Sequence, residues 1–119
     1  MPRFADRVKT TVTGTPGTGA ITLGSAASGF QSFATGFAGM LPCVIGYAIE
    51  DGAAWEVGKG TLNSDATQLT RDLVRASSNS NNLINATSAA VVFCTPSSEM
   101  IDNANIGQIN AQARGYALP

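Results

Sequence analysis

The chain has no histidine and only two cysteines, and charged side chains make up just 13% of its 119 residues. Each shortage excludes something. Without histidine there is no Ser-His-Asp triad, no Cys-His pair and no imidazole metal ligand, and two separated cysteines cannot supply a four-thiolate cluster. We therefore expect no catalytic, cofactor-binding or metal-ligating residues, no cofactor and no enzyme activity. Soluble domains carry about a quarter of their residues as charges. Here the forty residues from Thr10 to Ile49 carry none, nor does the stretch from Ala76 to Ser98. A surface that lacks the groups that keep monomers hydrated and apart reads as surface covered by protein, and so as assembly into a homo-oligomer or onto a partner.

The same scarcity of charge is not a membrane signal. Gly14, Pro16, Gly17, Gly19, Gly24, Gly29, Gly36, Gly39 and Pro42 interrupt the longest uncharged block, with Thr, Ser and Gln between them, so no apolar spanning segment exists. A net charge of −1 gives no general attraction to nucleic acid or to an acidic lipid surface. The opening Met-Pro-Arg-Phe-Ala-Asp lacks the apolar stretch of a secretory signal, so synthesis is expected in the cytoplasm. The sequon Asn85-Ala-Thr87 is then a chance match.

What is present reads as strands and turns. Val8, Thr10 and Val12 alternate with Arg7, Lys9 and Thr11, predicting a half-buried first strand. The Gly14–Gly19 turn and Ala20–Leu23 complete a hairpin, with Ile21 and Leu23 opposed to Thr22. Phe30, Phe33 and Phe37 are spaced irregularly among glycines and read as core aromatics on irregular structure. Pro42 to Asp51 is the clearest strand, with Cys43, Ile45, Tyr47 and Ile49 on one face. Asp51-Gly52 is a favoured two-residue turn, and the return strand alternates Trp55 and Val57 with Glu56. Trp55, Tyr47 and Ile49 are thus expected in the core, and Glu50, Asp51 and Glu56 as solvated carboxylates near the turn. Gln68–Arg75 reads as a strand rather than the competing helix, after a turn at Asn63-Ser64-Asp65. Ser77–Asn82 is a polar loop, Leu83-Ile84 a short edge element, and Ala89–Cys94 a buried closing strand ended by Pro96. Cys43 and Cys94 read as reduced core thiols, although spacing does not decide whether they pair.

The fold class expected is mainly β: a single antiparallel β-sandwich or barrel over residues 1–96, followed by a C-terminal arm, 97–119, that is extended or weakly helical. Gly14-Thr-Pro-Gly-Thr-Gly19 lacks the Gly-Lys-Ser/Thr ending of a phosphate-binding loop and reads as a turn. Interface residues are expected along the first strand (Arg3, Arg7, Lys9) and in the arm (Ile106, Ile109, Arg114, Tyr116).

Seven segments carry a resemblance in order along the chain. They are Phe4-Ala-Asp-Arg-Val-Lys9, Gly17-Thr-Gly-Ala-Ile-Thr-Leu-Gly24, Gly29-Phe-Gln-Ser-Phe33, Tyr47-Ala-Ile-Glu-Asp-Gly-Ala-Ala-Trp-Glu-Val-Gly58, Leu69-Thr-Arg71, Ser77-Ser-Asn-Ser80 and Val91-Val-Phe-Cys94. Together they resemble a family of small tailed-bacteriophage virion proteins, whose module stands alone or at the start of tail-fibre polypeptides. The resemblance implies a β-rich, non-enzymatic particle component located in the virion. Within it, a capsid decoration or cement protein bridging major capsid protein subunits is the leading expectation. A tail or fibre-attachment subunit that docks on tail or fibre proteins is the alternative. A carbohydrate-binding accessory module, for which Trp55 and Tyr47 are the stacking candidates, is a third reading from a different class.

Overall fold

In the computed structural model, which describes residues 2–102, six strands close into an antiparallel barrel in the order β1-β2-β5-β4-β3-β6. They are β1 (Lys9–Val12), β2 (Ile21–Ala26), β3 (Cys43–Asp51), β4 (Ala54–Leu62), β5 (Gln68–Ser77) and β6 (Val91–Cys94), with one helical turn, α1 (Phe33–Gly36), between β2 and β3. Every pairing joins an odd-numbered strand to an even-numbered one. The β1–β2, β3–β4 and β5–β6 connections therefore gather at one end of the barrel, and the β2–β3 and β4–β5 connections at the other. Of the two architectures left open by the sequence, the barrel is the one formed. It leaves no free sheet edge.

The first strand faces as its alternation predicts: Val8, Thr10 and Val12 are buried, and Arg7, Lys9 and Thr11 point outward. On β3, Ile45, Tyr47 and Ile49 are fully buried. Its other face is covered too. A side chain at Gly46 would collide with the Thr95 carbonyl and with Phe4, beside Met100. Residues 98–102 are helical, and Glu99 forms an ion pair with Arg75 of β5 at 3.0 Å. The first residues past β6 thus lie against the barrel wall.

Phe33 and Phe37 are core residues, as expected, but on a helical turn rather than irregular chain. Ser32 caps that turn by accepting from the Thr35 N–H at 3.1 Å. The four-residue spacing stacks the two rings, with centroids 6.1 Å apart. Each buried phenylalanine contributes about 1.5–3 kcal/mol of apolar burial. The gain offsets the cost of the nearby glycines.

The β3–β4 turn is displaced by one residue from its expected place. Asp51 pairs with Ala54, so Gly52 and Ala53 are the central pair, and Gly52 alone takes a positive φ of 62°. This freed Asp51 to do something else: its carboxylate accepts from the N–H (2.7 Å) and hydroxyl (3.0 Å) of Thr87, anchoring the β5–β6 connection. Leu83-Ile84 belongs to that connection rather than forming an edge element, and Ile84 is buried.

The largest correction concerns β4, whose faces are the reverse of those expected. Glu56, Gly58, Gly60 and Leu62 point inward, while Trp55, Val57, Lys59 and Thr61 point outward. Trp55 is 43% exposed and Glu56 is fully buried. Two causes act together. The wall of β5 presses close, so that a Cβ at Gly58 would lie 2.3 Å from the Leu73 carbonyl oxygen and one at Gly60 2.0 Å from that of Thr70. Bulges in the β4–β5 ladder beside both glycines produce this approach. The second cause is that Glu56 finds partners inside.

Candidate functional site

Glu56 is surrounded by donors. Tyr47, from the facing strand, gives its hydroxyl hydrogen to Oε2 at 2.6 Å. Arg71 of β5 donates from Nε to Oε2 at 3.0 Å and from Nη2 to Oε1 at 2.6 Å, and the Ile84 N–H reaches Oε1 at 2.9 Å. The Arg71 side chain is only 1% exposed. Its remaining donors go to the Ile84 carbonyl at 2.7 Å and to the carbonyls of Gly17 and Gly19 at 2.8 and 3.2 Å. Both ions are therefore fully engaged, the condition under which a buried pair is tolerated.

Burial alone pushes the Glu56 carboxyl up. The hydrogen bonds from Arg71, Tyr47 and Ile84 outweigh it and hold the group below its ordinary value. Tyr47 moves the other way, raised by burial and then by its bond to the Glu56 carboxylate. This constellation contains the acidic group and the phenol that a catalytic site would use, yet it works as a lock. Only two residue pairs join β2 to β5, and Arg71 closes the seam above them by tying β5 to the β1–β2 loop. The same loop pairs with the β5–β6 connection through reciprocal Gly17 and Ala86 hydrogen bonds of 2.9 Å. Sequence reading missed Arg71 altogether and placed Glu56 in solvent. Among the described residues, no group of three His, Cys, Asp or Glu is placed to hold a metal ion.

The outer wall carries a different arrangement. Arg7, Val8, Lys9, Phe30, Glu50, Phe93 and Cys94 line a shallow cleft of about 290 Å³. The Arg7 guanidinium lies 3.8 Å from the Phe30 ring centroid, and Lys9 Nζ stands 5.3 and 5.8 Å from the centroids of Phe30 and Phe93. Burial raises the Cys94 thiol above its ordinary range, which leaves it unsuited to act as a thiolate nucleophile.

The structure thus brings together two of the expected interface residues, Arg7 and Lys9. Arg3 is not among the lining residues: its N–H donates to the Val44 carbonyl at 2.7 Å, at the start of β3. Ile106, Ile109, Arg114 and Tyr116 lie outside the described residues. Phe30, read from the sequence as a core aromatic, is instead half-exposed in this cleft, where the Arg7 guanidinium holds it on the outer wall, and Phe93 is the partner that sequence reading missed. Phe93 could have been found from alternation, because it falls on the outward face of a closing strand whose neighbour Val92 is buried.

Register connects this cleft to a wider strip. Lys9 pairs with Phe93, Phe93 with Ala48, Ala48 with Val57 and Val57 with Ala76. The adjacent row runs Thr11, Val91, Glu50, Trp55. Leu73, on the same outer face of β5, is 41% exposed. The barrel wall therefore mixes exposed apolar side chains with charges: Glu50 pairs with Trp55, Lys59 pairs with Leu73, and Arg7 and Lys9 stand at one side. Comparison with protein-family models, curated proteins and solved structures finds no significant match to this chain.

Proposed function

We propose that this chain is a non-enzymatic structural subunit of a tailed-bacteriophage particle, and that it decorates the head by bridging major capsid protein subunits. The observation that carries the reading is the outer wall. It exposes Trp55 and Leu73, with Glu50 and Lys59 as their cross-strand neighbours, while the Arg71–Glu56 pair is spent internally. A partner covering that wall removes apolar surface from water at about 25 cal/mol per Å², and has only to pair the few charges beside it. The ordered sequence resemblance points to the same class of protein. In this role the chain acts in many copies, each using its wall against a neighbour.

Attachment to the tail or to fibre proteins is the second reading, favoured by the occurrence of the resembling module at the start of fibre polypeptides. The carbohydrate-binding reading loses one of its two stacking residues, because Tyr47 is buried with its hydroxyl on Glu56. Quantitative mass spectrometry of purified particles tests the proposal through the ratio of this chain to the major capsid protein. Near-stoichiometric abundance is expected for decoration. A few copies per particle would move the protein to the tail, and its absence would overturn the particle reading.

A further inference from the structure

We propose that the Arg7–Lys9 cleft is a docking site for a glutamate or aspartate side chain presented by an extended segment of a partner protein, with apolar residues beside the acid. The inference rests on the reading of the wall as a protein-binding surface and assigns the chemistry that one part of it recognises.

Arg7 is held in place before any partner arrives. Its backbone adopts a positive φ of 55°, a conformation that costs a non-glycine residue energy and persists only when its surroundings fix it. They do so here. The Arg7 carbonyl accepts from the Gln31 N–H at 2.7 Å, Lys9 N–H donates to the Gln31 carbonyl at 3.2 Å, and the Gln31 side chain donates to the Asp6 carbonyl at 2.5 Å. The guanidinium carbon then lies over the Phe30 ring, 3.8 Å from its centroid, with Nη2 donating to the Gly29 carbonyl at 3.0 Å.

Among the described residues, what remains of its fork is unspent. Among the described residues the ion pairs are Arg71 with Glu56 and Arg75 with Glu99, so neither Arg7 nor Lys9 has a carboxylate partner. A guanidinium held over a ring with its edge open matches a carboxylate in two parallel hydrogen bonds, and Lys9 adds a second charge nearby.

The surroundings select the kind of anion. The Phe30 face is occupied by Arg7, which leaves no platform there for a nucleic-acid base. Glu50 lines the same cleft, and its charge weighs more against a phosphate dianion than against a single carboxylate. Beyond Phe93 the paired row passes over buried Ala48 to the half-buried Val57, beside the exposed Trp55. That apolar track suits the residues flanking an acid in a polypeptide and offers nothing to a free inorganic ion.

The test titrates the ¹⁵N-labelled full chain with three probes: a Leu-Glu-Leu-Glu-Leu peptide acetylated at its N-terminus and amidated at its C-terminus, the same blocked peptide with Gln for Glu, and inorganic phosphate. The expected result is saturable amide shifts at residues 7–9, 29–31 and 91–94 with the Glu peptide alone. Arg7→Ala with Lys9→Ala should weaken that binding roughly tenfold or more, and Arg7→Lys should recover part of it. Unchanged shifts around Glu56 and Arg71 show that a variant is folded; should Arg7→Ala disturb them, Lys9→Gln carries the same test. Equal binding of the Gln peptide, equal binding of phosphate, or no localised shifts would each overturn the proposal. The titration uses purified protein, so its outcome is independent of the abundance of the chain in particles.

Discussion

Two arginines placed on opposite sides of the barrel wall show how one residue type serves two purposes. Arg71 points inward, and its donors all end on a carboxylate or on backbone carbonyls. Arg7 points outward, rests on an aromatic ring and gives one hydrogen bond to a carbonyl. Inside, where water cannot solvate an unpaired ion, every donor must be satisfied, so the charge is converted entirely into architecture. Outside, water tolerates an unfinished set of hydrogen bonds, and the cation keeps capacity for a partner. The same contrast separates Glu56, whose two oxygens accept four hydrogen bonds, from Glu50, which lines the cleft without an ion-pair partner among the described residues.

Breaking the inner member should produce the largest effect. Glu56→Gln or Arg71→Met leaves a buried ion without its counter-ion and should cost about 3–5 kcal/mol, read from urea unfolding. Changing both together should cost clearly less than the sum of the two, because the first substitution has already removed the attraction. Additive losses would show that the two residues act separately. Some loss persists in the double variant, since Arg71 also holds the carbonyls of Gly17, Gly19 and Ile84.

Acid should expose the same lock by a gentler route. The folded-state pKa of Glu56 is depressed, so its contribution is present above the unfolded value of about 4.3 and is lost as pH falls through the lower folded value. Thermal melting between pH 7 and pH 2.5 should therefore be nearly flat at first and decline in the acid range. In Glu56→Gln the acid-dependent part of that decline should shrink. An identical decline in both proteins would remove Glu56 as its source.

The outer members should give the smallest effects on stability. Trp55→Ala, Arg7→Ala and Lys9→Ala should each shift unfolding by less than about 1 kcal/mol, as surface changes and exposed cation–π pairs do. A loss of 3 kcal/mol or more at Trp55, roughly what truncating a buried tryptophan costs, would mean that its ring is covered in solution. Concentration-dependent melting would then identify the cover as a second copy.

The strands themselves were legible in local pattern. β1 and β3 show clean alternation, β5 has the Thr and Val content of a strand between turns, and the Asp51-Gly52 pair marked a hairpin to within one residue. The mainly β class followed from these elements. The orientation of β4 was not legible, because alternation reports that two faces exist and not which of them is inside. Burying Trp55 and Val57 is the sound choice when only that segment is considered. Glu56 can enter the barrel only because Arg71, fifteen positions further on, and Tyr47 on the neighbouring strand converge on it, together with the Ile84 N–H.

The cleft was half legible. Arg7 and Lys9 stood out as cations at a strand edge, whereas their meeting with Phe30 and Phe93 depends on chain closure that brings β1 beside β6. By itself, then, the sequence determined the period of its strands, the places of its turns, the lack of histidine chemistry and the scarcity of surface charge, since each depends on residues close together or on composition. Tertiary structure decided which face of β4 is buried, the choice of barrel over sandwich, and which charges are spent and which remain open. Those outcomes depend on partners far apart in the chain, and the energy of a buried ion is set by whichever groups the closed barrel places around it.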